Sequence, residues 1–156
     1  MGRQLPGARG GGGVPRKQSG VVQARYITRR TREHLDYWRK KGGAPVTGDT
    51  VKTSAGAIFK IPICKVDHIK DAIFYLKASN INTVSATEKT DKSVYDLDLN
   101  QPLAIIMGSE GKGVSKSVLN IVDHKASLPL LGDVNSLNVS VACGAFLYEA
   151  IRQRSL

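Results

Sequence analysis

The stretch "PLAIIMG", residues 102–108, carries no charged or hydrogen-bonding side chain. A strand with one face in water alternates apolar and polar residues, whereas one that is apolar at every step is buried on both faces, as at the centre of a parallel sheet. The chain must therefore cover two sides of a sheet. Strands alternating with helices are the simplest way to do so, and they predict an α/β fold, a parallel sheet with helices on both faces.

The flanking sequence supplies those parts. "IFKIPICKV" (residues 58–66), "INTVSAT" (81–87) and "HKASLPL" (124–130) read as strands, and "VVQARYI" (21–27) as a short one. "DHIKDAIFYLKASN" places Ile69, Ile73 and Leu76 on one helical face, with Asp67 as its cap. A short helix runs from Thr47 to about Ala55 and stops at Gly56, and another follows the glycine loop 108–115. "TRRTREHLDYWRKKGG" (28–43) reads as a helix started by Thr28 or Thr31 and stopped by Gly42 and Gly43. Residues 136–154 form the last helix, capped by Asn135 or Ser136. No internal repeat is visible.

At 156 residues the chain holds one domain. No apolar run approaches the roughly 18 residues of a membrane span, and no apolar stretch follows the basic N-terminus as a secretory signal requires. Cys64 and Cys143 lie inside apolar runs, as core thiols in a reducing compartment do. This points to the cytoplasm, with an organelle as the alternative. His34, His68 and His124 are scattered, so no metal site is expected.

Charge is uneven. Residues 1–50 hold 11 Lys/Arg against 3 Asp/Glu, and the remainder 12 against 10, for a net +10. Such an excess favours phosphate-bearing partners. Residues 1–20, "MGRQLPGARGGGGVPRKQSG", have little to bury and are expected to be a disordered tail, leaving residues 21–156 as the domain. In the basic segment, Arg29, Arg30, Arg32, Arg39, Lys40 and Lys41 form either a solvated helix face or a contact to nucleic-acid phosphates.

In open parallel sheets ligands gather at the carboxyl ends of the strands. Three loops leave such ends: "SATEKT", "GSEGKGVS" and "LPLLGDVNSLN". The second has Gly108, Gly111 and Gly113 around Glu110, and its lysine is misplaced for the phosphate-loop pattern. Glu110 is either a site residue or a charge placed beside a helix dipole. The third loop has more hydrogen-bonding side chains than capping needs. Asn138 stands one turn into the expected helix with no capping duty, which makes it a candidate contact for substrate or cofactor.

"IIMGSEGKGVS", "LPLLGDVNSLNVSVA" and "LYEAIRQR" resemble the later signature motifs of the SpoU/TrmH RNA ribose 2′-O-methyltransferases, of the SPOUT superfamily. "VKTSAGAIFKIPI" resembles the stretch before them, chiefly in the branch acting on large-subunit ribosomal RNA. The likeness covers roughly residues 44–155. It implies a C-terminal trefoil knot, S-adenosylmethionine as cofactor, rRNA or tRNA as substrate, and a homodimer. At the matching positions it implies that Gly108, Leu128 and Leu137, with Thr87, Leu130 and Gly132, hold the cofactor. Glu110, Ser136 and Asn138 then surround the reacting groups. The family's Asn-x-Gly-x-x-x-Arg segment is absent from residues 1–46, so the N-terminal part is expected to be truncated or diverged. The alternative is a domain that binds RNA without turnover.

Overall fold

The computed structural model describes residues 23–27, 34–39, 48–53, 55, 57–60, 62–109, 112–132 and 136–155. Its strands are β1 (Gln23–Ile27), β2 (His34–Arg39), β3 (Ile63–Val66), β4 (Asn82–Ala86), β5 (Leu103–Met107) and β6 (His124–Ala126). Its helices are α1 (Gly48–Thr53), α2 (Ile69–Ala78), α3 (Lys116–Leu119) and α4 (Val139–Arg154). Short 3-10 turns occupy Ala57–Lys60 and Val94–Asp96. The strand order is β3-β2-β1-β5-β4-β6.

The sheet is parallel as expected in all but one strand, and the one correction to its direction is β1. β4 runs parallel to β5 and β6, and β2 parallel to β3, but β1 is antiparallel to both β2 and β5. Five strands therefore share one direction and β1 opposes them. The linker between β1 and β2, residues 28–33, is too short for the crossover that parallel pairing needs, so the pair must be antiparallel.

The second correction concerns the basic segment. Residues 34–39 are strand, not helix. β2 lies between β1 and β3, so both its edges find backbone partners, and Tyr37 and Trp38 suit a strand. The expected helix face on Arg29, Arg30, Arg32, Lys40 and Lys41 lies outside the described residues, as does the tail 1–20.

β5 meets the demand its sequence made, with all five residues buried. Ala104 and Ile106 pack on Ile69, Ile73 and Leu76 of α2 and on Val118 and Leu119 of α3. Leu103, Ile105 and Met107 face the other way, onto Cys143, Phe146 and Ala150 of α4 and onto Val94, Leu97 and Leu99. Each buried isoleucine or leucine contributes about 1.5–3 kcal/mol. Smaller differences are local. His68, not Asp67, holds the cap position of α2. "IFK" belongs to a 3-10 turn ahead of β3 rather than to the strand. β6 ends at Ala126, leaving "LPL" to the loop that follows.

Two polar clusters tie the layers together. Asp123, after α3, accepts the Thr83 amide (2.9 Å) and hydroxyl (2.6 Å) and pairs with Lys77 of α2 (2.9 Å). Glu149 of α4 is buried and takes Nε (2.9 Å) and Nη2 (2.8 Å) of Arg152 and the amide of Gln153 (2.8 Å). Gln153 and Arg154 then hold the backbone of the 97–101 loop.

Both carboxyls titrate below their ordinary values of 3.8 and 4.5. For Asp123, partial burial acts upward but is outweighed by the Thr83 and Lys77 hydrogen bonds and the Lys77 charge. For Glu149 the Arg152 hydrogen bond leads, against burial and with help from Gln153 and the Arg152 charge. A depressed folded-state pKa stabilises the fold above the unfolded value, and that stability is lost as pH falls through the folded one. Urea midpoints measured from neutral pH downward should hold steady as far as the ordinary carboxylate range and fall from there, as the unfolded chain takes up protons before the folded one does. The fall should be shallower in Asp123→Asn and Glu149→Gln; an unchanged profile in both variants would contradict this assignment.

Candidate functional site

Three loops leave the carboxyl ends of β4, β5 and β6 and meet the start of α4. After β4, the Thr87 amide donates to the Ala126 carbonyl (2.9 Å), joining the ends of β4 and β6. The Thr87 hydroxyl accepts the Lys89 amide (3.2 Å) and turns the chain outward. After β6, Ser127 exchanges backbone bonds with Lys92 and Val94, both 2.9 Å.

After β5 the chain makes a close backbone approach. A Cβ on Gly108 would lie 2.5 Å from the Val114 nitrogen and 2.7 Å from the Gly113 Cα, so only glycine fits. The loop closes through two backbone bonds between Ser109 and Gly113, 3.2 and 2.8 Å long, with Gly113 at φ +64°.

These loops enclose a cleft of about 690 Å³, within the range of roughly 300–1,000 Å³ usual for small-molecule sites. Met107, Ala142 and Phe146 form an apolar part of its lining. Of the residues expected at a site, Thr87, Gly108, Leu128, Leu130, Ser136, Leu137 and Asn138 line it together. Gly132 is not among the lining residues and instead turns the third loop at φ +82°. Glu110 lies outside the described residues, and of Arg39 only the backbone, in β2, is described.

Asn138 corrects the reading of the helix start. α4 begins at Val139, not at Ser136, and Asn138 is its cap, the side-chain oxygen accepting the Ser140 amide (2.9 Å). Ser136 thus precedes the helix and Ser140 lies in its first turn, which leaves Ser136 and Leu137 in the loop that walls the cleft. Asn138→Ala should cost about 0.5–2 kcal/mol, read as a lower urea midpoint. Asn138→Asp, which keeps an accepting oxygen, should recover most of it. Equal losses in the two variants would argue against the cap as the cause.

The sequence reading missed Glu88, Lys89 and Lys112 at the cleft, and Phe146 in its lining. The spacing of Lys112 in the glycine loop excludes a phosphate loop but carries no signal for its place at the cleft. Phe146 reads from sequence as plain core. Among the described residues no cluster of His, Cys, Asp and Glu could hold a metal ion, and no helix is long and apolar enough to cross a membrane.

A sequence profile of the SpoU rRNA Methylase family matches residues 31–148. The match begins ahead of the stretch that carried the resemblance and takes in β2. An uncharacterized tRNA/rRNA methyltransferase of Mycobacterium leprae is 38% identical over 117 residues, covering 75% of this chain and 38% of the relative. The 23S rRNA (guanosine-2'-O-)-methyltransferase RlmB of Photorhabdus laumondii is 36% identical over 112 residues, covering 72% and 46%. Among solved structures, the SpoU methyltransferase AviRb from Streptomyces viridochromogenes with AdoMet matches at a TM-score of 0.69 and 30% identity, over 78% of this chain and 49% of that one. The A. aeolicus TrmH/SpoU tRNA modifying enzyme matches at 0.64 and 29%, over 76% and 59%. The chain spans less than half the length of these two curated relatives. The profile match, which takes in β2 through most of α4 and all three cleft loops, shows that this chain belongs to the SpoU rRNA methylase family.

Proposed function

We propose that the chain transfers a methyl group from S-adenosylmethionine to a ribose 2′-hydroxyl of rRNA or tRNA. The observation that carries this reading is the cleft at the carboxyl ends of β4, β5 and β6, built from the same loops that bear the family's motifs. Its residues suit such a cofactor. The apolar lining of Met107, Ala142 and Phe146 can take an aromatic base, and Thr87, Ser136 and Asn138 offer polar contacts beside it. Gly108, Leu128, Leu130 and Leu137 line the same cleft, and their backbone groups are assigned to the cofactor. Bound there, the cofactor supplies an electrophilic sulfonium methyl group.

The chain's own residues must then align an oxygen with that methyl and ease the loss of its proton. Ser136 and Asn138 stand at the wall of the cleft and are assigned to hold the ribose or the cofactor's amino-acid end, and Glu110, in the glycine loop, to orient loop or substrate groups. Support for the substrate comes from relatives named as tRNA/rRNA and 23S rRNA methyltransferases. Because the Asn-x-Gly-x-x-x-Arg segment is absent from residues 1–46, the test must read turnover and not binding alone. Purified chain with radiolabelled cofactor and total rRNA or tRNA should yield RNA carrying label and resistant to alkaline cleavage at the methylated ribose. Cofactor binding with no label transferred would leave the non-catalytic RNA-binding alternative, and absence of cofactor binding would sink methyl transfer.

We further propose that the C-terminal segment is threaded as a trefoil knot and that the chain works as a homodimer. Supporting the dimer, Val141 (58% exposed), Tyr148 (76%) and Ile151 (49%) form an apolar stripe on the outer face of α4. Sedimentation equilibrium should show a dimer that Tyr148→Asp weakens; a wild-type monomer at all concentrations would refute it.

A further inference from the structure

We propose that Lys89 and Lys112 form a two-point clamp for the RNA phosphate next to the target ribose, an assignment that rests on the methyl-transfer reading above. Both line the cleft and both are exposed. They arrive from different strands, Lys89 from the loop after β4 and Lys112 from the glycine loop after β5. The two loops meet at the rim, since a Cβ on Gly113 would lie 3.8 Å from Glu88 Oε1. Neither lysine has an ion pair among the described residues. Glu88 offsets one of the two charges, leaving this part of the rim net positive among the described residues.

The chemistry of the substrate says what the pair is for. A ribose 2′-hydroxyl in RNA is the immediate neighbour of its own 3′-phosphodiester, so any site that presents the hydroxyl also brings that phosphate to its mouth. An ammonium group on a flexible stem suits a phosphate oxygen whose position varies with sequence. Such contacts fix register and orientation without reading the base. Each loop is held in place near its lysine. The Thr87 hydroxyl fixes the Lys89 amide, and the Ser109–Gly113 backbone pair closes the loop that carries Lys112.

The test titrates a fluorescein-labelled RNA stem-loop over a range of salt concentrations by anisotropy, with calorimetry against S-adenosylhomocysteine on the same samples. Lys89→Ala and Lys112→Ala should each reduce the slope of log affinity against log salt by about 0.7–0.9. Their effects on the slope should add, Lys→Arg at each position should restore it, and Lys70→Ala on α2 should not change it. S-adenosylhomocysteine affinity should stay at the wild-type value. A wild-type slope in the double alanine variant overturns the clamp. So does a loss of S-adenosylhomocysteine affinity, which would move the lysines to the cofactor's carboxylate, and so does a wild-type chain that binds no RNA. Reduced slopes in a chain that methylates nothing would support the clamp while overturning turnover, so the two readings fail separately.

Discussion

Phe146→Ala should cost about 3–5 kcal/mol of stability, the usual loss for truncating a fully buried phenylalanine. Phe146 is 1% exposed and sits in the core cluster with Ile105, Met107 and Ala150. It also lines the cleft. Truncation therefore opens a void that joins the site instead of a sealed cavity. The expected signature is double: a lower urea midpoint at unchanged slope, and weaker S-adenosylhomocysteine binding measured where the variant is still folded. Phe146→Leu, which refills most of the volume, should recover much of the first effect. A stability loss under about 1 kcal/mol would mean the helix collapses onto β5 without cost, contrary to the close packing of interiors.

Gly108→Ala should impair the candidate site severely while leaving the sheet standing. The added methyl would sit 2.5 Å from the Val114 nitrogen and 2.7 Å from the Gly113 Cα. Both are backbone atoms, so no side-chain rotation relieves the contact, and the loop must shift. The shift strains the Ser109–Gly113 bonds and displaces Lys112 with them. Overpacking of this kind costs about 1–3 kcal/mol. A displacement near 1 Å at a reacting centre can cost about a hundredfold in rate. The expected result is a folded protein by circular dichroism with methyl transfer down by about that factor and cofactor affinity reduced. Wild-type transfer in this variant would show that the tight turn does not shape the site. The comparison Gly144→Ala is informative, because nothing lies within 4 Å of a Cβ there and little change is expected.

The residues that sequence reading identified correctly share a property: their roles follow from local pattern. Unbroken apolarity in "LAIIM" required a strand covered on both faces, and the two core clusters lie on those faces. Helical spacing of Ile69, Ile73 and Leu76 put them on the buried side of α2. Asn138 shows where local pattern stops. One residue's difference in where α4 starts separates a surplus amide within the helix from the cap that begins it, and side-chain spacing does not resolve that boundary. Asn138 now has a structural duty as well as a place at the cleft, which is why the aspartate variant is needed to separate the two.

What the sequence by itself determined was the chain's own periodicities: the α/β class, the central strand, the glycine loop, and the set of loops that carries the site. What only the tertiary structure decided was pairing between distant segments. "HLDYWR" became strand because β1 and β3 flank it with open backbone groups, although its isolated pattern suits a helix. β1 opposes the other strands because its link to β2 is too short to cross over. Lys89 and Lys112 share one cleft only because β4 and β5 are adjacent in the sheet. Local patterns survive in a single chain segment, but hydrogen-bond partners and shared clefts are properties of segments brought together by the fold.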